Sequence, residues 1–237
     1  MVLAYEYQLM GLLIGLYVLD SSLLLYANEG LLICTRRKRW RTVFGNGQLM
    51  IFGRSLYIAN LLTPHFPTFR LSWVFGAEQT ESAPTQWSTR TDEYRSIAPP
   101  CIATASALFV LLPLGFFSPL GTPLVLAAIV LNYASIVTTL ILLYRRRAVL
   151  NLSAKRCATL AFECLACPPF AVNLIRRITL AERIVEPLPD AGSRLLDAPS
   201  WGSMKQHCAE RIVGALDAEP EDSSRLQSLN AHLNRFR

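Results

Sequence analysis

The sequence predicts a mainly α membrane protein: three transmembrane helices with a small β-rich cytoplasmic loop and a helical cytoplasmic tail. Three observations carry this. Residues 101–144 hold no Asp, Glu, Lys, Arg or His and end abruptly at Arg145, Arg146 and Arg147. A second apolar block, residues 7–26, lies near the N-terminus. The composition, 52% hydrophobic and 17% charged, is also more apolar than that of a soluble domain, where about 25% of residues are charged.

The block 101–144 is long enough for two crossings, since the hydrocarbon core needs roughly 20 apolar residues per helix. Pro113, Pro119, Gly121 and Pro123 cluster near its middle, which predicts a hairpin of spans 101–118 and 122–144. A soluble helix this long would need a polar face. Residues 7–26 supply the first span, within a segment 1–29. No basic residue precedes it and no small-x-small cleavage site follows, so it reads as a retained helix. Asp20 is its one charged residue. A mid-helix acid costs roughly 2.5–3.5 kcal/mol on insertion, against about 0.3–0.6 gained per large aliphatic residue. The dozen or so large apolar residues cover that cost.

Dividing the chain at these spans puts every basic residue on one side. Residues 29–100 hold nine Lys and Arg and residues 145–237 hold fourteen, while 1–6 and 119–121 hold none. Basic residues flanking spans stay cytoplasmic. Arg36, Arg37, Lys38, Arg39 and Arg41 after the first span, with Arg145, Arg146 and Arg147 after the third, therefore predict N-terminus outside and C-terminus inside. Arg176 and Arg177 join this set as contacts for anionic lipid headgroups. The net charge of +6 is explained the same way, and a nucleic-acid partner is not expected. The basic-aromatic run around Trp40 is read as headgroup contact too.

The loop 30–76 carries short runs rich in aromatic and β-branched residues at 31–34, 40–44, 49–52, 55–58 and 69–75. Gly45, Asn46 and Gly47 predict a hairpin turn between the second and third runs, because Asn and Gly accept positive φ cheaply. Gly53 and Arg54 could form the next turn. The expectation is a small meander. Residues 77–100, rich in Thr, Ser, Gln and Pro, read as a polar linker.

The stretch 145–177 is read as a basic interfacial region. Its apolar part, 157–175, contains Glu163 and the pair Pro168–Pro169 and is bracketed by basic pairs. A helix lying along the membrane surface and broken at the prolines satisfies both pairs better than a fourth span. The tail 178–237 is predicted soluble and helical. Ser203-Met204-Lys205-Gln206 and Ser224-Arg225-Leu226-Gln227 both fit a capping box. The first would open a helix with Met204, Cys208, Ile212 and Leu216 along one stripe; the second would run to Phe236.

Few constellations suggest chemistry. Asp20, beside Ser21 and Ser22, is an intramembrane acid, a type of residue that often marks an ion path or an inter-helix contact. No basic residue lies in any predicted span to pair with it, so bonds to Asn132 or Thr138 across the bundle are the structural reading. Cys157, Cys164 and Cys167 are candidates for a thiolate metal site or a redox pair. Zinc would need a fourth ligand, with His207 and Cys208 the distant options, and buried cysteines commonly pack as small hydrophobes. His65, between Pro64 and Phe66, reads as a loop residue. No hydrolase, zinc-protease or phosphate-loop motif is present, and no cofactor is implied.

The expected function is a non-enzymatic scaffold or accessory subunit in a bacterial inner membrane. Its partners would be anionic lipid and either other membrane proteins or further copies of itself, docked through the loop and tail. Two alternatives remain: a transport or ion-coupled subunit using Asp20 in an oligomeric bundle, and a membrane-surface enzyme with thiol or lipid chemistry at Cys164 and Cys167 or at His65.

Overall fold

A computed structural model describes residues 2–35, 39–45, 49–72, 87–182, 184 and 186–218. The chain is mostly helical with a small β region. It divides into two compact units, each assembled from separate stretches: Met1–Leu23 with Ile58–Pro67 and Gln86–Thr179, and Leu24–Tyr57 with Thr68–Thr85 and Leu180–Arg237.

The first unit is helical. Helix α1 (Val2–Asp20) is followed by α2 (Trp87–Arg95), α3 (Ala98–Ser106), a π-helical stretch Ala107–Leu111, and α4 (Leu112–Phe117). From Thr91 to Phe117 these last elements make one apolar helix of 27 residues. The wide turn precedes Pro113, which has no N–H for the regular ladder. An extra residue in the turn lets the helix continue through it. Helix α5 (Gly121–Arg146) forms the other arm of the hairpin. Both arms are long and apolar enough to cross a membrane. The turn between them lies where the sequence predicts it: Gly121 has φ +50, a left-handed geometry that favours glycine, and its N–H donates to Ser118 O at 3.2 Å.

Contacts of α1 fix its direction. Tyr7 stacks on Phe117 with ring centroids 4.9 Å apart, Met10 packs with Leu112 and Ala128, and Tyr17 packs with Leu108. Rising numbers on α1 meet falling numbers on the Thr91–Phe117 helix, so the two run antiparallel. The N-terminal end of α1 and the 118–121 turn are at the same end. At the other end Arg146 forms an ion pair with Glu93.

Helix α6 (Ala154–Ala166) begins at Ser153, whose side chain accepts from Arg156 N. Cys167 interrupts the helix, then α7 (Pro168–Val172) and α8 (Leu174–Ala181) follow. The break at the prolines matches the expectation, and none of the three helices approaches membrane-spanning length. Two expectations change here. The first apolar block is helical only to Asp20, because Ser22–Leu25 forms a strand. Asp20 thus ends a helix; it does not interrupt one. The predicted linker 77–100 is helical from Trp87 and buries Trp87, Tyr94 and Ile97; residues 77–86 lie outside the described residues.

Most strand residues belong to the second unit. Strands β1 (Ser22–Leu25), β5 (Arg54–Ile58) and β4 (Met50–Ile51) form one sheet in the order β1-β5-β4. Strands β3 (Trp40–Val43), β2 (Glu29–Cys34) and β6 (Thr68–Ser72) form another, with β2 central and antiparallel to both neighbours. Strands β2 to β6 fall on the runs marked in the sequence, whereas β1 falls in the block read as the first span. This is not a meander. β3 and β4 belong to different sheets, so the hairpin expected at Gly45–Gly47 is not made as a strand pair; Asn46 and Gly47 lie outside the described residues. The tight turn falls one loop later, at Phe52 and Gly53 (φ +50 and +72), where β4 pairs with β5 through Ile51 and Arg54. Two positive φ values in a two-residue loop match the right-handed twist of the flanking strands. For a bulky residue such as Phe52 the left-handed conformation costs roughly 1–2 kcal/mol.

Helix α9 (Leu188–Leu195) packs on β2. The contact is close at Gly30, where a Cβ would stand 2.6 Å from Leu188 Cδ2. Helix α10 (Ala198–Ala218) starts five residues before the expected capping box. Asp197 caps it, its carboxylate accepting from Ser200 N at 3.0 Å. Of the expected stripe, Met204, Cys208 and Ile212 are all buried; the side chain of Leu216 lies outside what is described. The second tail helix falls outside the described residues.

Candidate functional site

The first unit contains a buried polar network at the C-terminal end of α1. Helix α1 closes with Ser21 N donating to Tyr17 O and Val18 O, which leaves the Ser21 side chain and carbonyl facing inward. Ser21 Oγ accepts from Asn173 Nδ2 at 2.9 Å, and Ser21 O accepts from Ala59 N at 3.0 Å. Asn173, fully buried between α7 and α8, accepts in turn from Arg176 Nη1 at 3.0 Å. Arg176 Nη2 reaches Asn60 O at 3.0 Å and Thr63 O at 3.3 Å. Tyr17 donates its hydroxyl proton to Leu61 O. The loop 58–67 is thereby held at four backbone positions by α1 and α8. A guanidinium presents several N–H donors and can serve two carbonyls at once.

Arg177 sits beside this network. Its Nε lies 3.5 Å from Asp20 Oδ1, its Nη2 donates to Glu163 Oε2 at 2.7 Å, and its guanidinium carbon stands 4.7 Å from the Phe170 ring centroid. Asp20 therefore has a basic partner, contrary to the sequence reading, and the partner comes from α8, 157 positions away. Thr138 bonds its own helix at Ala134 O. Asn132 is buried on α5, and its Oδ1 accepts no hydrogen bond among the described residues.

Arg176 and Arg177 are thus corrected as lipid-headgroup contacts. Arg176 is 2% exposed and donates from both terminal nitrogens to oxygens of Asn173, Asn60 and Thr63; Arg177 pairs with two carboxylates, while its Nη1 is buried with no hydrogen-bond partner among the described residues. The other basic candidates divide. Arg39, Arg41 and Arg145 are exposed, Arg146 pairs with Glu93, and Arg147 stacks over Tyr144 at 4.5 Å. Arg36, Arg37 and Lys38 lie outside the described residues.

Cys157 and Cys164 share the buried face of α6, while Cys167 occupies the break before Pro168. Burial pushes the Cys164 thiol up to about 12, with Arg177 opposing the shift and Glu163 reinforcing it. Burial also raises Cys167, partly offset by a backbone hydrogen bond at Phe170. A thiolate, not a thiol, is the nucleophile and metal ligand, so Cys164 is a neutral packing group at physiological pH. Among the described residues no three His, Cys, Asp or Glu side chains gather at metal-binding distance. His65 is buried in the pinned loop with its ring edge-on to Phe66.

Asn173 and the inward role of Arg176 are what sequence reasoning missed. The available signal was a lone amide, three residues before an arginine, inside an apolar stretch following two prolines. The network is built to hold a loop: each charged group contacts an opposite charge or carbonyl oxygens within the unit. No protein-family model matches this sequence, and no match to it is found among the curated proteins or the solved structures.

Proposed function

We propose that this chain is a small integral membrane scaffold or accessory subunit of a bacterial inner membrane. In this reading α1 and the two hairpin arms cross the bilayer, the N-terminus and the 118–121 turn face outward, and the β-rich segment and tail dock partners in the cytoplasm. One observation carries the orientation. The N-terminal end of α1 and the hairpin turn share one end of the bundle, and the stretches 1–6 and 118–121 there contain no basic residue. A bundle with Arg145 and Arg146 in the last turn of α5, at the other end, suits the charge rule for cytoplasmic loops.

Further features support a membrane seat. Helix α5 leaves Leu126, Ile129, Val130, Val137 and Ile141 exposed along its length, an arrangement that lipid tolerates and water penalises. The 19 residues of α1 extend about 28 Å at 1.5 Å per residue, close to the roughly 30 Å hydrocarbon thickness. Helix α6 buries Cys157, Leu160 and Cys164 while presenting Phe162 and Leu165 outward, the habit of a helix lying in the interface. The internal pairing of Asp20 with Arg177 and the burial of Cys164 within α6 favour a scaffold over transport or thiol chemistry.

The test has two arms. The protein should stay with membranes through an alkaline wash, and reporters fused at the two termini should place the N-terminus outside and the C-terminus inside. A C-terminus read outside would overturn the orientation. Purification in mild detergent should return a stoichiometric complex; a homogeneous monomer with no partner would remove the scaffold reading.

A further inference from the structure

The tip of the β4–β5 hairpin is apolar and turned outward. Leu49, Met50, Ile51 and Phe52 are 57, 57, 40 and 95% exposed in four consecutive positions. Neighbouring residues on a strand point to opposite faces, so here neither face has an interior to fill. Phe52 also holds φ +50, a turn position suited to Asn, Asp or Gly. The chain therefore places an aromatic ring where both the local backbone and the surrounding water disfavour it. Strain of this kind, at a site with no packing role, points to use.

We propose that this hairpin is a membrane-dipping element, with Phe52, Met50 and Ile51 seated at the boundary between acyl chains and headgroups. The inference rests on the membrane reading above. Lipid is favoured over a protein partner by the order of groups along the hairpin. Behind the apolar tip, Arg54 lies over the Tyr26 ring at 4.1 Å to the centroid and bonds its hydroxyl. An apolar end backed by an aromatic hydroxyl and a cation is the order in which an interface presents acyl chains, then headgroup phosphates. Residues 49–58 contain no acid to be repelled by anionic lipid. The same polypeptide carries two helices able to cross a membrane, so a bilayer is always within the chain's reach.

The test uses full-length Phe52→Trp protein reconstituted into phosphatidylcholine–phosphatidylglycerol vesicles, with the parent and its four tryptophans as baseline. The introduced indole should emit several nanometres to the blue of a water-exposed one, and lipids brominated on the acyl chain should quench it. Water-like, unquenched emission from protein that survives an alkaline wash would overturn the hairpin proposal alone. Loss of the parent from the vesicles in that wash would instead sink the membrane reading. If the emission turns blue only when a soluble protein is added, the occupant is a protein and the proposal fails. Phe52→Asn, which suits the turn, should keep or raise the thermal midpoint in detergent. A fall would show that Phe52 packs within the fold, and would also overturn the proposal.

Discussion

At the scale of single residues, Arg176 and Arg177 decide how the polar network is to be understood. Adjacent on one helix, they serve different groups: Arg176 binds an amide oxygen and two carbonyls, and Arg177 bridges two acids. The Arg177, Asp20 and Glu163 side chains are 22, 12 and 29% exposed, too enclosed for water to screen the pair fully. Removing one partner from such a cluster strands the others, at a cost of about 3–5 kcal/mol. Arg177→Met should therefore lower stability by roughly 3 kcal/mol in detergent unfolding. Adding Asp20→Asn and Glu163→Gln should recover most of that loss. If Arg177→Met unfolds with the parent, the network does not hold the fold. From sequence, Asp20 was visible as an anomaly but its partner was not. The orientation rule sends arginines outward to headgroups, and it has no means of knowing that the Asn60 and Thr63 carbonyls come within reach of Arg176.

At the scale of elements, the hairpin arms are spaced by one small residue. A Cβ on Gly115 would stand 2.7 Å from Val125 Cγ2 and 2.9 Å from the Val125 backbone N. The side chain could rotate away but the backbone could not, so Gly115→Ala must push α4 and α5 apart. Overpacking of this sort costs about 1–3 kcal/mol. Gly11 on α1 is the control, with nothing within 4 Å of its added Cβ. Gly11→Ala should be neutral or stabilise by about 0.5–1 kcal/mol through helix propensity. Unfolding midpoints in one detergent compare the two directly, and equal effects would refute the close approach. The hairpin arms and the strands after β1 were legible in the sequence because long apolar runs and β-branched clusters report on burial directly, whereas β1 was hidden in the apolar run that continues α1. The turns at Gly121 and Gly53 were legible too, the latter displaced by one residue so that Phe52 shares it, a position that turn chemistry alone would not give to an aromatic residue. Likewise α10 begins at Asp197, whose carboxylate caps Ser200 N, although Ser203 with Gln206 makes the more familiar pattern.

At the scale of the whole molecule, each unit is assembled from stretches far apart in sequence. Each therefore depends on long-range contacts that a few side chains close. In the second unit Arg211 does this for α10, donating from Nη1 to Ala27 O at 3.1 Å and from Nη2 to Gly45 O at 2.7 Å. Its Nε donates to His207 Nε2 at 3.1 Å, and the His207 ring packs on Phe44 at 4.4 Å. That nitrogen can accept only when the imidazole is neutral. Burial holds His207 below its ordinary value, Arg211 adds to the shift, and Glu210 opposes it. A histidine whose folded pKa is lowered contributes stability that is full above its unfolded value, near 6.5. That contribution is lost as pH falls from there toward the folded value. Acid should therefore loosen α10 from the loop ends it clamps. Amide exchange along 198–214 should quicken as pH drops from about 7 to 5, once corrected for intrinsic rates, while α5 should show no such change. His207→Gln retains an acceptor without titrating, so its exchange should be flat over that range. An unchanged pH dependence in that variant would mean that some other group responds to acid in this unit.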